Sequence, residues 1–278
     1  MIKEIAELEK KANYIRNQIL DMCVRAGTGH ITSSFSCTEI MVALYYAGIL
    51  RYDPANPEWE GRDRFVLSKG HASVILYPVL ADLGFFPESE LERFCQADGI
   101  FGVHLQNDVP GVEITSGSLG HGIGIAAGLA MAARMNNESH FIFTLLGDGE
   151  CYEGSVWESA LFASHNQLNN LIAFVDRNGL SAINFTEKAV RLSPMDKKWE
   201  AFGWETVTID GHSFKEILSA LDGFRFRRSE KPLAIVANTV KGKGVSFMEN
   251  QPLWHAVAPK GKEAEMAKIE LTGKGKAD

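Results

Sequence analysis

The stretch FIFTLLGDGE (141–150) is an apolar run that stops at a carboxylate held between two glycines, Gly147-Asp148-Gly149. A strand heading into a core has no use for Asp148 unless something at its end needs a charge. A second run, NLIAFVDRNG (170–179), is equally apolar and ends at Asp176 and Asn178, with Gly179 behind them. KPLAIVANTV (231–240) and the weaker ETVTID (205–210) follow, and FVLSKGH (65–71) precedes them as a short buried strand running into a Gly-His turn. Helical stretches near 154–167 and 213–224 separate these runs, and the glycine-rich TSGSLGHG (115–122) feeds a closely packed helix rich in Ala, Leu and Met. Nearly continuous apolar strands alternating with helices predict an α/β fold with a mostly parallel central sheet covered on both faces. In such sheets ligands bind beyond the carboxyl ends of the strands.

A βαβ crossover returns the chain to the same edge of the sheet, so Asp148 and Asn178 are expected to converge. One carboxylate and one amide oxygen, joined by backbone carbonyls that Gly179 leaves accessible, form an oxygen-only set suited to Mg²⁺ or Ca²⁺ and not to a soft metal. Two side chains cannot complete an octahedron. Water and an anionic guest must supply the rest, and Mg²⁺ commonly bridges a protein carboxylate to diphosphate oxygens. Gly147, Gly149 and Gly154 let the backbone approach such a guest, and the helix that follows offers free N–H groups.

The rest of the chain is that of an ordinary globular protein. It has 278 residues, 45% hydrophobic and 23% charged, and opens with an amphipathic helix that carries Ile5, Leu8, Ala12, Ile15, Ile19 and Met22 on one stripe. A second helix is expected over 37–50 and a short one over 88–94. A net charge of −7 argues against nucleic acid or an anionic membrane as partner. Cys23, Cys37, Cys95 and Cys151 form no CxxC pair, so neither a zinc site nor a disulfide framework is indicated, and they read as small buried hydrophobes. No segment approaches a signal sequence or a membrane span, so the expected location is cytoplasmic.

GDGECYEGSVWESALFASHNQLNNLIAFVDRN (147–178) resembles the thiamine diphosphate motif, and the surrounding residues are similar to transketolases over about residues 6–259. The resemblance implies a three-layer αβα thiamine-diphosphate-binding fold over 1–259, a tail over 260–278, and thiamine diphosphate with Mg²⁺ as cofactors, Ca²⁺ or Mn²⁺ being substitutes. Asp148, Asn178 and the Leu180 carbonyl would hold the metal. Gly117 and Leu119 match the loop that grips the cofactor, with Gly147 and Gly149 beside it. The histidines of GTGH (His30), SKGH (His71), GVH (His104) and LWH (His255) fall in the family's order. By resemblance His71 lies near the diphosphate, while His30, His104 and His255 meet substrate hydroxyls or move protons, His255 also touching the cofactor; imidazole titrates in the range this requires. Glu153 and Glu158 match carboxylates of a proton network across a subunit interface. His121 is expected near the diphosphate, His140 and His165 on surfaces, and the role of His212 in IDGH stays open.

Two departures flank the expected substrate channel: Thr32 and Ser33 stand where glycine is common, and Leu105-Gln106 follows His104 in place of Pro-Glu. A sugar phosphate, a modified sugar or a pyruvate-derived acyl group are therefore all open as substrates. In the family the aminopyrimidine-activating glutamate and the phosphate-binding residues come from a pyrimidine domain that this sequence lacks. The resemblance thus implies the N-terminal subunit of a two-chain transketolase, inactive alone and paired with a separate C-terminal subunit in an α₂β₂ assembly. Rival readings are the α subunit of a 2-oxo-acid dehydrogenase and a non-enzymatic regulatory subunit.

Overall fold

The computed structural model describes residues 1–182 and 184–273. Five strands, β1 (Arg64–Leu67), β2 (Ile142–Gly147), β3 (Leu171–Arg177), β4 (Glu205–Asp210) and β5 (Leu233–Asn238), form one sheet in the order β1-β2-β3-β5-β4. Every pairing is parallel, so the mostly parallel sheet that was expected is fully parallel among the described residues. Successive side chains of a strand face opposite ways, and β3 shows the consequence. Ile172 and Phe174 enter one core, and Leu171, Ala173 and Val175 enter the other. The first core is covered by helices Ile5–Ala26, Thr38–Tyr46 and Phe214–Ala220, the second by Gly122–Met135, Gly154–His165 and Met195–Ala201. These are the three αβα layers. ETVTID reads weakly because β4 is an edge strand with exposed Glu205 and Asp210.

The register aligns Gly147 with Asp176 and Asp176 with Ala237, which puts the polar ends of β2, β3 and β5 side by side. The helix expected over 37–50 is shorter, Thr38–Tyr46, and an additional one, Ile31–Phe35, starts directly after His30. Residues 88–94 form a 3₁₀ turn, Glu88–Arg93. In the segment expected to be a tail, helix Lys262–Thr272 buries Ala267 and Leu271 in the same core as the first helix, and Lys268 pairs with Asp21. The frayed end expected beyond it lies outside the described residues. His140, expected at the surface, is buried, with Nδ1 3.6 Å from Glu138; it stands two residues before the interior strand β2. His165 is exposed as expected, and among the cysteines Cys95 alone is only partly buried.

Candidate active site

The tips of β2 and β3 are built around two buried carboxylates. Asp148 accepts N–H bonds from Gly149 (2.9 Å) and Gly179 (2.8 Å), and its backbone N–H donates to the Asp176 carbonyl. Asp176, with no exposed surface, is ion-paired with Lys69 and accepts from Ser36 (2.6 Å), Thr239 and the Asn178 amide (3.2 Å). Because Asn178 donates its Nδ2 to Asp176, its Oδ1 is fixed on the other side, where it receives the Leu180 N–H at 3.1 Å. Burial would push Asp176 up, but the Lys69 ammonium beside it keeps its carboxyl low. Asp148 lacks such a cation. Burial, reinforced by the Asp176 charge, pushes it up to about 6.

Behind the tip, Glu150 is buried and accepts from Ser68 (2.5 Å), Gly120 N–H (2.8 Å) and Gly147 N–H (3.0 Å), which ties the ends of β1 and β2 to the glycine-rich loop. That loop packs too tightly for side chains. A Cβ on Gly122 would lie 2.6 Å from Ser68 Cα, and one on Gly70 would lie 2.6 Å from the Gly117 nitrogen. Loop, tips and two later segments enclose a cavity of about 540 Å³.

Four imidazoles gather at its mouth. The His30 ring centroid is 5.3 Å from His71, 6.3 Å from His104 and 5.2 Å from His255. Burial and the neighbouring His104 and Lys241 hold His30 at about 4; burial, Lys241 and His30 do the same to His255, and His71 is also pushed well down by burial and Lys69. These three rings are therefore neutral at pH 7, each with one ring nitrogen offering a lone pair. Lys241, itself lowered to about 8 by burial and the Lys69 charge, lies 2.8 Å from His255 Nδ1. Thr32, one of the two departures, donates its hydroxyl to the Trp254 carbonyl at 3.0 Å, tying the His30 helix to the His255 loop. Leu105 is buried in the core beside His104.

His71, Gly117, Leu119, Gly147, Asp148, Gly149, Asn178, Leu180 and His255 all line the cavity, and His30 and His104 adjoin it. Gly154 does not: a 3₁₀ turn, Gly149–Tyr152, intervenes before its helix. Glu153 and Glu158 are exposed and outside the cavity, because their helix turns Val156, Ala160 and Ala163 inward. His121 is exposed, its Nδ1 3.0 Å from the Leu119 carbonyl. Lys69, Lys241 and Glu150 are functional neighbours that motif reading missed, and Asp176, read only as the end of its strand, is the buried carboxylate that pairs with Lys69. No local signal marks the first three as buried, because their partners come from distant segments that only the sheet brings together.

A divalent cation and an anionic guest fit this site. The raised Asp148 marks negative charge without a counter-ion, and Ser33 Oγ, Ser116 Oγ and the Nδ1 atoms of His30 and His104 are buried with no hydrogen-bond partner. Among the described residues no three His, Cys, Asp or Glu side chains gather around a metal, so one carboxylate with amide and carbonyl oxygens is the ligand set on offer. Adjacent parallel strand tips with this chemistry define an α/β protein that binds a diphosphate-bearing cofactor. The family model described as "Transketolase, thiamine diphosphate binding domain" matches residues 8–276, and the chain belongs to the transketolase family through that domain. It is 40% identical over 256 residues to a 6-deoxy-6-sulfo-D-fructose transketolase subunit of a Clostridium strain (92% of each chain). It is also 40% identical over 270 residues to one of the subunits of an apulose-4-phosphate transketolase from Actinobacillus succinogenes (95% and 96%). The crystal structure of Campylobacter jejuni transketolase superposes with a TM-score of 0.90 at 32% identity, over 97% of this chain and 43% of that one. The chain thus corresponds to the N-terminal, cofactor-binding part of a transketolase.

Proposed function

We propose that this chain is the cofactor-binding subunit of a two-chain cytoplasmic transketolase that moves a two-carbon ketol unit from a ketose donor to an aldose acceptor. The observation that carries this reading is that Asp148, Asn178 and Leu180 line the same cavity as His71 and His255. Asp148, Asn178 Oδ1 and the Leu180 carbonyl would hold Mg²⁺, and Gly117, Leu119 and the 147–149 turn would cradle thiamine diphosphate. When bound, that cofactor supplies the nucleophilic carbon and the electron sink that ketose cleavage requires. His30 and His255, kept neutral by burial and Lys241, take a proton from a substrate hydroxyl and return it, and His104 shares the donor side. Lys241 offers positive charge to an anionic guest.

Glu153 and Glu158 face outward on this chain, which suits carboxylates completed by a second subunit. The names of the two relatives, both subunits of transketolases, support a partner subunit; that partner would bear the pyrimidine domain, and a closed two-fold pairing would give α₂β₂. Either a phosphorylated or a modified sugar satisfies this chemistry. The test is calorimetric titration with thiamine diphosphate, with and without Mg²⁺, and a ketol-transfer assay with and without the pyrimidine-domain subunit. Mg²⁺-dependent binding and partner-dependent turnover are expected. Turnover by this chain alone, or no Mg²⁺-dependent binding by the assembled pair, would overturn the reading.

A further inference from the structure

His212 lies outside the cavity yet is bonded to its wall. Its Nδ1 is 2.9 Å from Glu39 Oε2, and the Val240 N–H donates to its Nε2 at 2.9 Å. A ring nitrogen that receives an amide N–H must present its lone pair there, so the ring proton sits on Nδ1 and is donated to Glu39. Glu39 is buried, as is Arg16, which reaches both of its oxygens at 2.7 Å and donates to the Phe35 carbonyl at 2.9 Å. Burial alone would raise Glu39, but Arg16 and His212 outweigh it and hold the carboxyl at about 2. Glu39 is thus a fixed anion that selects one tautomer of His212.

The bond to Val240 lands where two cavity functions meet. On one side of Val240, the Thr239 hydroxyl donates to Asp176 at the strand tips. On the other, Lys241 sends its Nζ to His255 Nδ1 (2.8 Å) and the Ser181 carbonyl (3.3 Å), and the next N–H, that of Gly242, donates to the Thr32 carbonyl. We propose that His212 is a positioning residue: its Nε2 lone pair, oriented by the Arg16–Glu39 pair, holds the Val240 backbone and thereby sets Lys241 against His255 in the cofactor cavity. The functional weight of that placement rests on the cavity being the thiamine diphosphate site; the placement itself does not.

Two substitutions separate this role from simple packing. The amide of His212→Gln reaches the place of Nε2 and keeps an acceptor for Val240, whereas the amide of His212→Asn reaches only the place of Nδ1 and keeps the bond to Glu39. In the full chain without cofactor, long-range proton–nitrogen NMR should find wild-type His212 protonated on Nδ1. His212→Asn should lower hydrogen-exchange protection of the Val240 amide about tenfold or more. It should also raise the His255 titration midpoint from about 4 toward the ordinary histidine range, since Lys241 moves off while burial, His30, His71 and Lys69 still face that ring. His212→Gln should leave both near wild type. A proton on Nε2 in the wild type, unchanged protection and titration in His212→Asn, or equal losses in both variants would each overturn the proposal. Because thiamine diphosphate is absent from these measurements, failure of the cofactor reading leaves their outcome untouched.

Discussion

The two sides of the cavity are built on opposite terms. At the strand tips, Asp176 is met by Lys69, Ser36, Thr239 and Asn178, and Glu150 by three further donors. At the imidazole mouth, by contrast, the Nδ1 atoms of His30 and His104 and the Ser116 hydroxyl have no partner. The tips fold into their working arrangement through the chain's own bonds. The mouth is placed by backbone packing and keeps its polar atoms open for a guest. Substitutions at the tips should therefore act on folding and those at the mouth on chemistry.

The largest expected effect on stability is at Lys69. Replacing it with methionine keeps the apolar stem but leaves Asp176 a buried charge without its counter-ion, a loss of about 3–5 kcal/mol. Urea unfolding of the isolated chain measures it. A loss below about 1 kcal/mol would mean that the tips are not held by this pair and would break the comparison.

Lys69 also marks the limit of what is legible in the sequence. The strand pattern identifies the parallel sheet, and the Gly-Asp-Gly and Asp-x-Asn spacing brings Asp148 and Asn178 to one cavity, because both follow from local periodicity and crossover geometry. Lys69 stands within SKGH, yet nothing local marks it as buried. Its partner is 107 residues away, and only the alignment of β1, β2 and β3 makes them neighbours. Glu150 is hidden likewise: in GDGE it reads as a solvated turn, and its donors come from Ser68 and the 115–122 loop. His140 defeats a surface reading because nothing local tells a buried strand entrance from an exposed one.

The next effect is a pH dependence in which the two sides oppose each other. In the metal-free chain Asp148 sits at about 6, above the ordinary carboxyl range, so the folded state binds more protons than the unfolded one between about pH 4 and 6. Stability from this group is complete below that window and falls by on the order of 3 kcal/mol as pH rises through it. His30 and His255, at about 4, have the reverse sign. The folded state binds fewer protons than the unfolded one, so their contribution is complete above about pH 6.5 and is lost as pH falls toward 4. With both rings partly exposed, each amounts to roughly 1–2 kcal/mol. The opposing signs should make the wild-type profile between pH 4 and 6 shallower than the Asp148 side or the histidine side alone would give, with His71, also held low, adding to the histidine side. Asp148→Asn should unmask a clear loss of stability toward acid, and a His30→Asn, His255→Asn double variant a decline toward neutral pH; denaturant midpoints across pH read both. Parallel profiles in all three chains would show that the two sides do not differ in this way.

A smaller effect is expected at Glu150. Glutamine is isosteric but turns one acceptor oxygen into a donor, so one of the three groups facing it is left without a partner. The cost should be about 1–3 kcal/mol in urea unfolding.

The smallest effect on folding should come from the mouth, at His104. Its Nδ1 is buried without a partner, so His104→Phe removes a polar atom that gains nothing in the free chain and keeps a ring of similar shape. The unfolding free energy should stay level or rise by about 1 kcal/mol, whereas ketol transfer by the assembled pair should fall about 100-fold if the imidazole serves the donor hydroxyls. The two readouts together decide whether the open nitrogen is a defect or a binding group. A large gain in stability with unchanged turnover would make it a defect, and the mouth would then differ from the tips only in being less well packed.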